Sequence, residues 1–530
     1  MGRVLLIYCA LVISLPAAVF QYAVPIKTLN GDRTVYLWVP PDAERIRGVL
    51  VAGTTLAERM CVQDPVVRQA CTDEKLAIIY YKTGLSTLDA QDVLDALAKT
   101  SGYRELSIAP LFFMGHSAGG PKAKAQALAF ADRCFGLMLY RGGVPGGDKP
   151  LPPGIPCLMM VGQFDEFGGV MRDEDGREGP WDRPFEAIME YRRGDSANLA
   201  SIVVEPGAGH FGWSARNAEY FALFLRKAAQ ARIPEWAMHG HAPVVCKPID
   251  PQTGWLAARS IPSPSTLPPA SAAAFKGDPQ KAIWYFDEAH VRATEAYHAD
   301  HFQKKDQFIR WRDRHTLDAG TRYFFTQVKW IGDGQRFQVH PAYMTEVPTP
   351  SSDGRGPRWL DAGEAAGQSK EPIRVKVVGG PIRAEGPSTF RIHFDELASA
   401  KDPMRATFMA FSEGDERYRY TELVGMLPRG FKGFTEGRVQ ALRFERIADT
   451  KARALPVKPL ATSTAEQEVY FHIARGPARI IDGMVHLAEM PKRVRYPIEV
   501  EVVAFQFGRG VEPKVKTAVP LSQVFRITGP

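Results

Sequence analysis

Histidine is scarce in the first half of this chain: before residue 235 there are only His116 and His210. Any imidazole chemistry built on that half must use one of them. Cysteine is scarce as well, six in 530 residues, and Cys9 lies in an apolar N-terminal run. The other five are Cys61, Cys71, Cys134, Cys157 and Cys246. An odd number excludes a disulfide framework as the main support of an exported chain. Cys134 and Cys157 stand near the starts of two expected strands, where a bridge could join them. Buried thiols acting as small hydrophobes are the preferred reading. No dense Lys/Arg block occurs, and the formal net charge of +7 is spread along the chain. Neither a nucleic-acid partner nor a charged membrane surface is expected. No heptad run or internal repeat is present. Gly379-Gly380-Pro381 and Arg429-Gly430-Phe431 are not followed by Gly-Lys-Ser/Thr, so they are loops, not phosphate cradles. His239-Gly240-His241 has no third ligand of matching spacing nearby. Neither metal nor cofactor is expected.

With 45% hydrophobic and 24% charged residues, the chain has the composition of a globular protein. Its length suits about three domains. Residues 1–20 read as a signal peptide: Arg3, an apolar run over 4–20, and small residues at Pro16-Ala17-Ala18. That implies a secreted or periplasmic protein with no stable membrane span; an uncleaved anchor is the alternative. Residues 24–235 alternate strand and helix signals. Strands are expected at 34–39, 48–52, 76–81, 110–114, 135–140, 157–161 and 200–204, with helices at 65–71, 88–99, 118–130, 185–193 and 215–229. Several strands are apolar on both faces, as a parallel sheet covered by helices requires. The fold class is therefore α/β, a doubly wound, mostly parallel sheet. Residues 236–280, rich in Pro, Ala and Ser, read as a linker. A helix over 282–298 opens a segment at 281–400 that turns to strands, and 401–530 reads as a β-sandwich.

Gly115-His116-Ser117-Ala118-Gly119 follows an apolar strand and opens a helix. This is G-x-S-x-G in the strand–turn–helix setting that lifts a serine hydroxyl above a sheet. Ser117 is the candidate nucleophile and needs a base. His116 adjoins it and cannot easily curl back. His210, in a Gly-rich loop between a strand and the last helix, is the candidate base. Asp165, directly after the strand at 157–161, is the candidate orienting carboxylate, with Glu166 its rival. Oxyanion donors are expected from the backbone of Ala118 and from Thr54 or Thr55. Phe164, Phe167, Phe211 and Trp213 flank the loops carrying Asp165 and His210. With Trp181, at the end of a charged loop over 168–181 that could act as a lid, they are candidates for an apolar substrate wall.

On the motifs GHSAG at 115–119, GQFDEF at 162–167 and GAGHFGW at 207–213, residues 24–233 resemble the α/β-hydrolase superfamily. They lean toward its dienelactone-hydrolase and feruloyl or acetyl-xylan esterase members. The resemblance implies a metal-free serine mechanism on a small-molecule or polysaccharide ester. The C-terminal strands are similar to immunoglobulin-like accessory domains. A peptidase of the same fold and a non-catalytic binding protein on a degenerate scaffold are the alternatives.

Overall fold

The computed structural model describes residues 19–28, 31–53, 55–82, 87, 89–165, 181–236, 242–261, 263–311, 326, 328–347, 363–400, 405–427 and 433–530. The expected leader up to residue 18, Glu166, Phe167 and all of the charged loop before Trp181, and His239 to His241 lie outside them.

The first half is one eight-stranded sheet in the order β1-β2-β4-β3-β5-β6-β7-β8. Its strands are β1 (Tyr22–Thr28), β2 (Gly31–Trp38), β3 (Gly48–Gly53), β4 (Leu76–Tyr81), β5 (Leu111–His116), β6 (Cys134–Tyr140), β7 (Cys157–Gly162) and β8 (Ala200–Glu205). The β1–β2 and β2–β4 pairings are antiparallel, and those from β4 onward are parallel. The helices are α1 (Leu56–Gln63), α2 (Pro65–Asp73), α3 (Ala90–Ser101), α4 (Gly119–Ala129), α5 (Asp182–Gly194) and α6 (Ala215–Arg232). Every residue of β3 to β8 is buried, and their side chains alternate between two cores. Val49, Val51 and Phe113 face one core, and Leu50, Phe112 and Met114 the other. That is the α/β layering expected from strands without a polar face. Of the five thiols, none is bridged and all are buried.

Residues 242–261 and 263–285 pack on this half and are not a free linker. β9 (Trp255–Ala257) pairs with β10 (Ala270–Ser271) and β11 (Ile283–Tyr285), and Leu256 and Trp284 share a buried cluster with Leu199. The reason lies in the edge strand. Among the described residues β8 has no strand on its outer side, so its polar groups need other partners. Ser201 Oγ donates to the carbonyl of Trp284 at 2.6 Å, and Tyr285 Oη to that of Ile202 at 3.2 Å. The helix expected over 282–298 is instead β11 followed by α7 (Glu288–Gln303), capped by the Asp287 carboxylate on the His290 N–H. Its His298 accepts the Val204 N–H on Nε2 at 3.0 Å.

The remainder is built of small antiparallel sheets, a β-rich region. One sheet consists of β12 (Arg374–Gly379), β13 (Thr407–Ser412) and β14 (Thr421–Met426). Arg374 pairs with Phe411, so a domain boundary at 400 would cut this sheet. Two apolar clusters fill the region, one joining Ile309 to Leu427 with Phe505 and Phe507, the other formed by Phe444, Ile473, Val485, Val500, Phe525 and their neighbours. Among the described residues no helix is long and apolar enough to cross a membrane.

Candidate active site

Ser117 follows the last residue of β5 and precedes α4, with φ at 54°, in the left-handed region that a non-glycine residue rarely occupies. The strain is held by close packing on both sides. A Cβ on Gly115 would overlap the carbonyl of Gly119, and one on Gly119 would overlap the Glu58 carboxylate. A Cβ on Gly142 would overlap the main chain of Ser117 itself. The Ser117 N–H donates to the carbonyl of Tyr140 at 3.0 Å. The elbow is therefore sterically determined by glycines from two strand ends.

Asp165 and His210 meet at the carboxyl edge of the sheet, after β7 and β8. Nδ1 of His210 lies 2.8 Å from Oδ1 of Asp165, and the two side chains are 3% and 5% exposed. With Nδ1–H given to the carboxylate, a neutral imidazole carries its lone pair on Nε2. The acid loop and the histidine loop are joined by backbone: Phe164 N–H donates to the carbonyl of Ala208 at 2.8 Å. Gln163 adds a tie through Oε1, which accepts the Gly207 N–H at 2.7 Å.

His116 is fully buried, and burial holds it well below the usual histidine pKa. Its Nε2 lies 2.8 Å from the carbonyl oxygen of His210, so Nε2 carries the proton. Nδ1 is then an acceptor, and Thr55 Oγ1 donates to it at 2.7 Å. The two rings lie 4.9 Å apart, centroid to centroid. The neighbour of Ser117 thus bridges the loop after β3 to the loop after β8.

The oxyanion expectations divide. Ala118 is the N-cap of α4, where first-turn N–H groups have no partner within the helix. Thr54 lies outside the described residues. The Thr55 N–H donates to Oε2 of Glu58 in a capping box, so it is spent inside the protein and cannot face a substrate oxygen. Glu58 also accepts the His116 N–H on Oε1 at 3.2 Å. Burial pushes its carboxyl up to about 8, against the lowering by these donors.

The aromatic residues also divide. Phe211 is half-buried, edge-on to His210 at 4.8 Å. Phe164 is half-buried against Phe308 at 5.2 Å. Trp213 is a core residue: it packs on Tyr140 and Phe221, and its Nε1 donates to Asp64 at 3.1 Å. Trp181 caps α5 and is buried in the core beneath it. Neither tryptophan is part of an open wall. Phe167 lies outside the described residues.

Behind the histidine loop is a buried polar cluster that the sequence reading did not find. The Arg141 guanidinium, stacked on Tyr140, pairs with both Glu205 and Glu422. Ser214 and Asn217 donate to Glu205, whose carboxyl burial pushes above its ordinary range. Its one sequence signal is a run of glycines around His210, which implies close neighbours without naming them. No cluster of three or more His, Cys, Asp or Glu suited to a metal occurs among the described residues.

No protein-family model matches the chain, and no curated protein does. Solved structures do. A hyperthermophilic esterase from the archaeon Pyrobaculum calidifontis is similar over 40% of this chain and 87% of its own, at 15% identity and a TM-score of 0.29. A lidless α/β serine hydrolase from Xanthomonas campestris is similar over 42% and 98%, at 16% and 0.28. A putative α/β hydrolase from Agrobacterium tumefaciens is similar over 40% and 100%, at 13% and 0.30. In strand order, parallel pairings and the turn between β5 and α4, residues 22–232 have the α/β-hydrolase fold.

Proposed function

We propose that this protein hydrolyses carboxylic esters through an acyl-enzyme on Ser117. Ser117 Oγ attacks the ester carbonyl carbon while Nε2 of His210 takes its proton. The tetrahedral oxyanion is met by the Ala118 N–H and a second donor from the loop after β3. The imidazolium, stabilised by Asp165, returns the proton to the leaving alcohol as the C–O bond breaks. Water then repeats the sequence on the acyl-enzyme and releases the acid. The observation that carries this reading is the buried 2.8 Å hydrogen bond from His210 Nδ1 to Asp165 Oδ1 at the sheet edge that bears the strained serine.

The ester class we propose is a short or aromatic acyl group, acetyl or feruloyl, on a polysaccharide met outside the cytoplasm. The apolar run at 4–20 and the β-rich second half support export, and Phe211 beside His210 supports an apolar acyl site. The test is twofold. Wild-type protein should be labelled by a fluorophosphonate probe and should hydrolyse p-nitrophenyl acetate, whereas Ser117→Ala should do neither. Labelling that persists in Ser117→Ala would remove the assignment of the nucleophile. A panel of acetylated and feruloylated sugars then reads the ester class. No turnover on any of them, with p-nitrophenyl acetate hydrolysed, would remove the polysaccharide.

A further inference from the structure

The loop that carries His210 is shaped by a strand from the other half of the chain. The Glu422 side chain of β14 is 1% exposed. Three donors converge on it. The Gly209 N–H donates to Oε1 at 3.0 Å, Nη1 of Arg141 donates to the same oxygen at 3.1 Å, and Tyr420 Oη donates to Oε2 at 2.7 Å. The glycines of the histidine loop are the other half of the fit. A Cβ on Gly212 would overlap both Glu422 carboxylate oxygens, and one on Gly207 would overlap the carbonyl oxygen of Tyr420. The loop has no side chains at these two positions because β14 and the turn before it occupy the space.

We propose that Glu422 is a positioning residue for His210. It fixes the main chain one residue before the imidazole, while His116 fixes the carbonyl of His210. The histidine is clamped between a donor on β5 and an acceptor on β14. An imidazole that must hold Asp165 on one nitrogen and serve a serine with the other tolerates little displacement, since a shift of ~1 Å can cost a factor of ~100 in rate. Nearby, Arg419 extends the same contact to the acid loop, with Nη1 3.3 Å from Oε1 of Gln163 and Nε 3.2 Å from Asp306. The β-rich half is thereby part of the active site and not an appended module.

This inference rests on the serine-hydrolase reading, and the experiment keeps the two apart. Fluorophosphonate labelling of Ser117 in the wild type tests the reading itself. An unlabelled, inactive wild type overturns both. With labelling in hand, Glu422→Gln and Glu422→Met are compared at equal folded concentration, measured by near-ultraviolet circular dichroism. Gln keeps an acceptor for the Gly209 N–H, and Met keeps the volume without one. The expected result is kcat within about threefold of wild type for Gln and about 10- to 100-fold lower for Met, with KM within about twofold for both. A folded Glu422→Met with wild-type kcat overturns the proposal. Should Met not fold, Gly212→Ala, which displaces the carboxylate without removing it, should show the same loss of kcat. Wild-type kcat there, or failure of both variants to fold, makes Glu422 a stability element and overturns the positioning role.

Discussion

Nε2 of His116 donates to the backbone carbonyl of His210 across 2.8 Å, so the residue beside the strained serine holds the residue proposed as its base. Replacing His116 by Phe keeps ring volume but leaves the His210 carbonyl and the Thr55 hydroxyl without their partner. A buried carbonyl and a half-buried hydroxyl each lose a hydrogen bond, so stability should fall by about 1–3 kcal/mol. The kcat on p-nitrophenyl acetate should fall at least about tenfold, because the loop is freed on one side. Urea unfolding and a steady-state assay measure both. Unchanged kcat with reduced stability would say that the bridge supports the fold and not the base.

Glu58 gives the stability of the protein a pH dependence of unusual sign for a carboxylate. Burial raises its pKa from an ordinary 4.5 to about 8 in the folded chain. Between those values the folded state keeps a proton that the unfolded state has lost. The contribution is therefore fully present below pH 4.5 and lost as pH rises through about 8. Glu58→Gln removes the titration. The stability of wild type relative to Glu58→Gln should thus decline by a few kcal/mol between about pH 5 and pH 8. Urea midpoints for both proteins at three pH values read this out, and parallel curves would contradict it.

Phe20 is wholly buried against Tyr36 and Tyr80, under the Arg68 guanidinium, and its N–H donates to Glu396 at 3.0 Å. A leader ending at residue 20 would take this side chain with it. We expect processing before Val19, after the small pair Ala17-Ala18, and N-terminal sequencing of exported protein checks it. In the processed chain Phe20→Ala should lower unfolding stability by about 3–5 kcal/mol. A mature chain starting after Phe20, with full stability, would refute both expectations.

Phe211 and Trp213, two residues apart, should behave differently. Phe211→Ala removes half-buried apolar surface beside His210 and should reduce kcat/KM for a feruloyl ester about 10- to 100-fold more than for an acetyl ester. Trp213→Ala opens a cavity in the core and should cost about 3–5 kcal/mol of stability with no change in ester preference. Equal losses on both esters in Phe211→Ala would move the acyl site elsewhere.

The α/β half was legible because its strands from β3 to β8 are unbroken apolar runs, with helical segments and turn residues between them. The helix that escaped, α1, shows why. In LAERMCVQ both Glu58 and Arg59 are buried, Glu58 against the elbow and Arg59 on Asp395. Polar residues facing inward erase the pattern that separates helix from loop. Residues 242–285 misled through composition: proline suits an extended segment lying along a surface as well as a free linker. The expected partners Asp165 and His210 do meet, and strand ends and motif order made them readable. Nothing in the sequence separates Thr54 from Thr55 as a donor, because the capping box that takes up the Thr55 N–H reads only as local helix chemistry. Glu422 was beyond reach, since TELVGM reads as an ordinary strand and nothing local names a partner 213 residues earlier.

That separation has a meaning in time as well as in space. During synthesis the sheet, the serine turn and the Asp165–His210 pair are all complete in sequence long before residue 422 emerges. At about 5–20 residues per second, the 213 residues between Gly209 and Glu422 take roughly 10–40 s to make. Until then the Gly209 N–H, Arg141 and the space beside Gly207 and Gly212 lack the Glu422 carboxylate and the Tyr420 carbonyl that meet them in the complete fold. On the proposed positioning role of Glu422, competence of the proposed hydrolase site waits for the distal strand to dock.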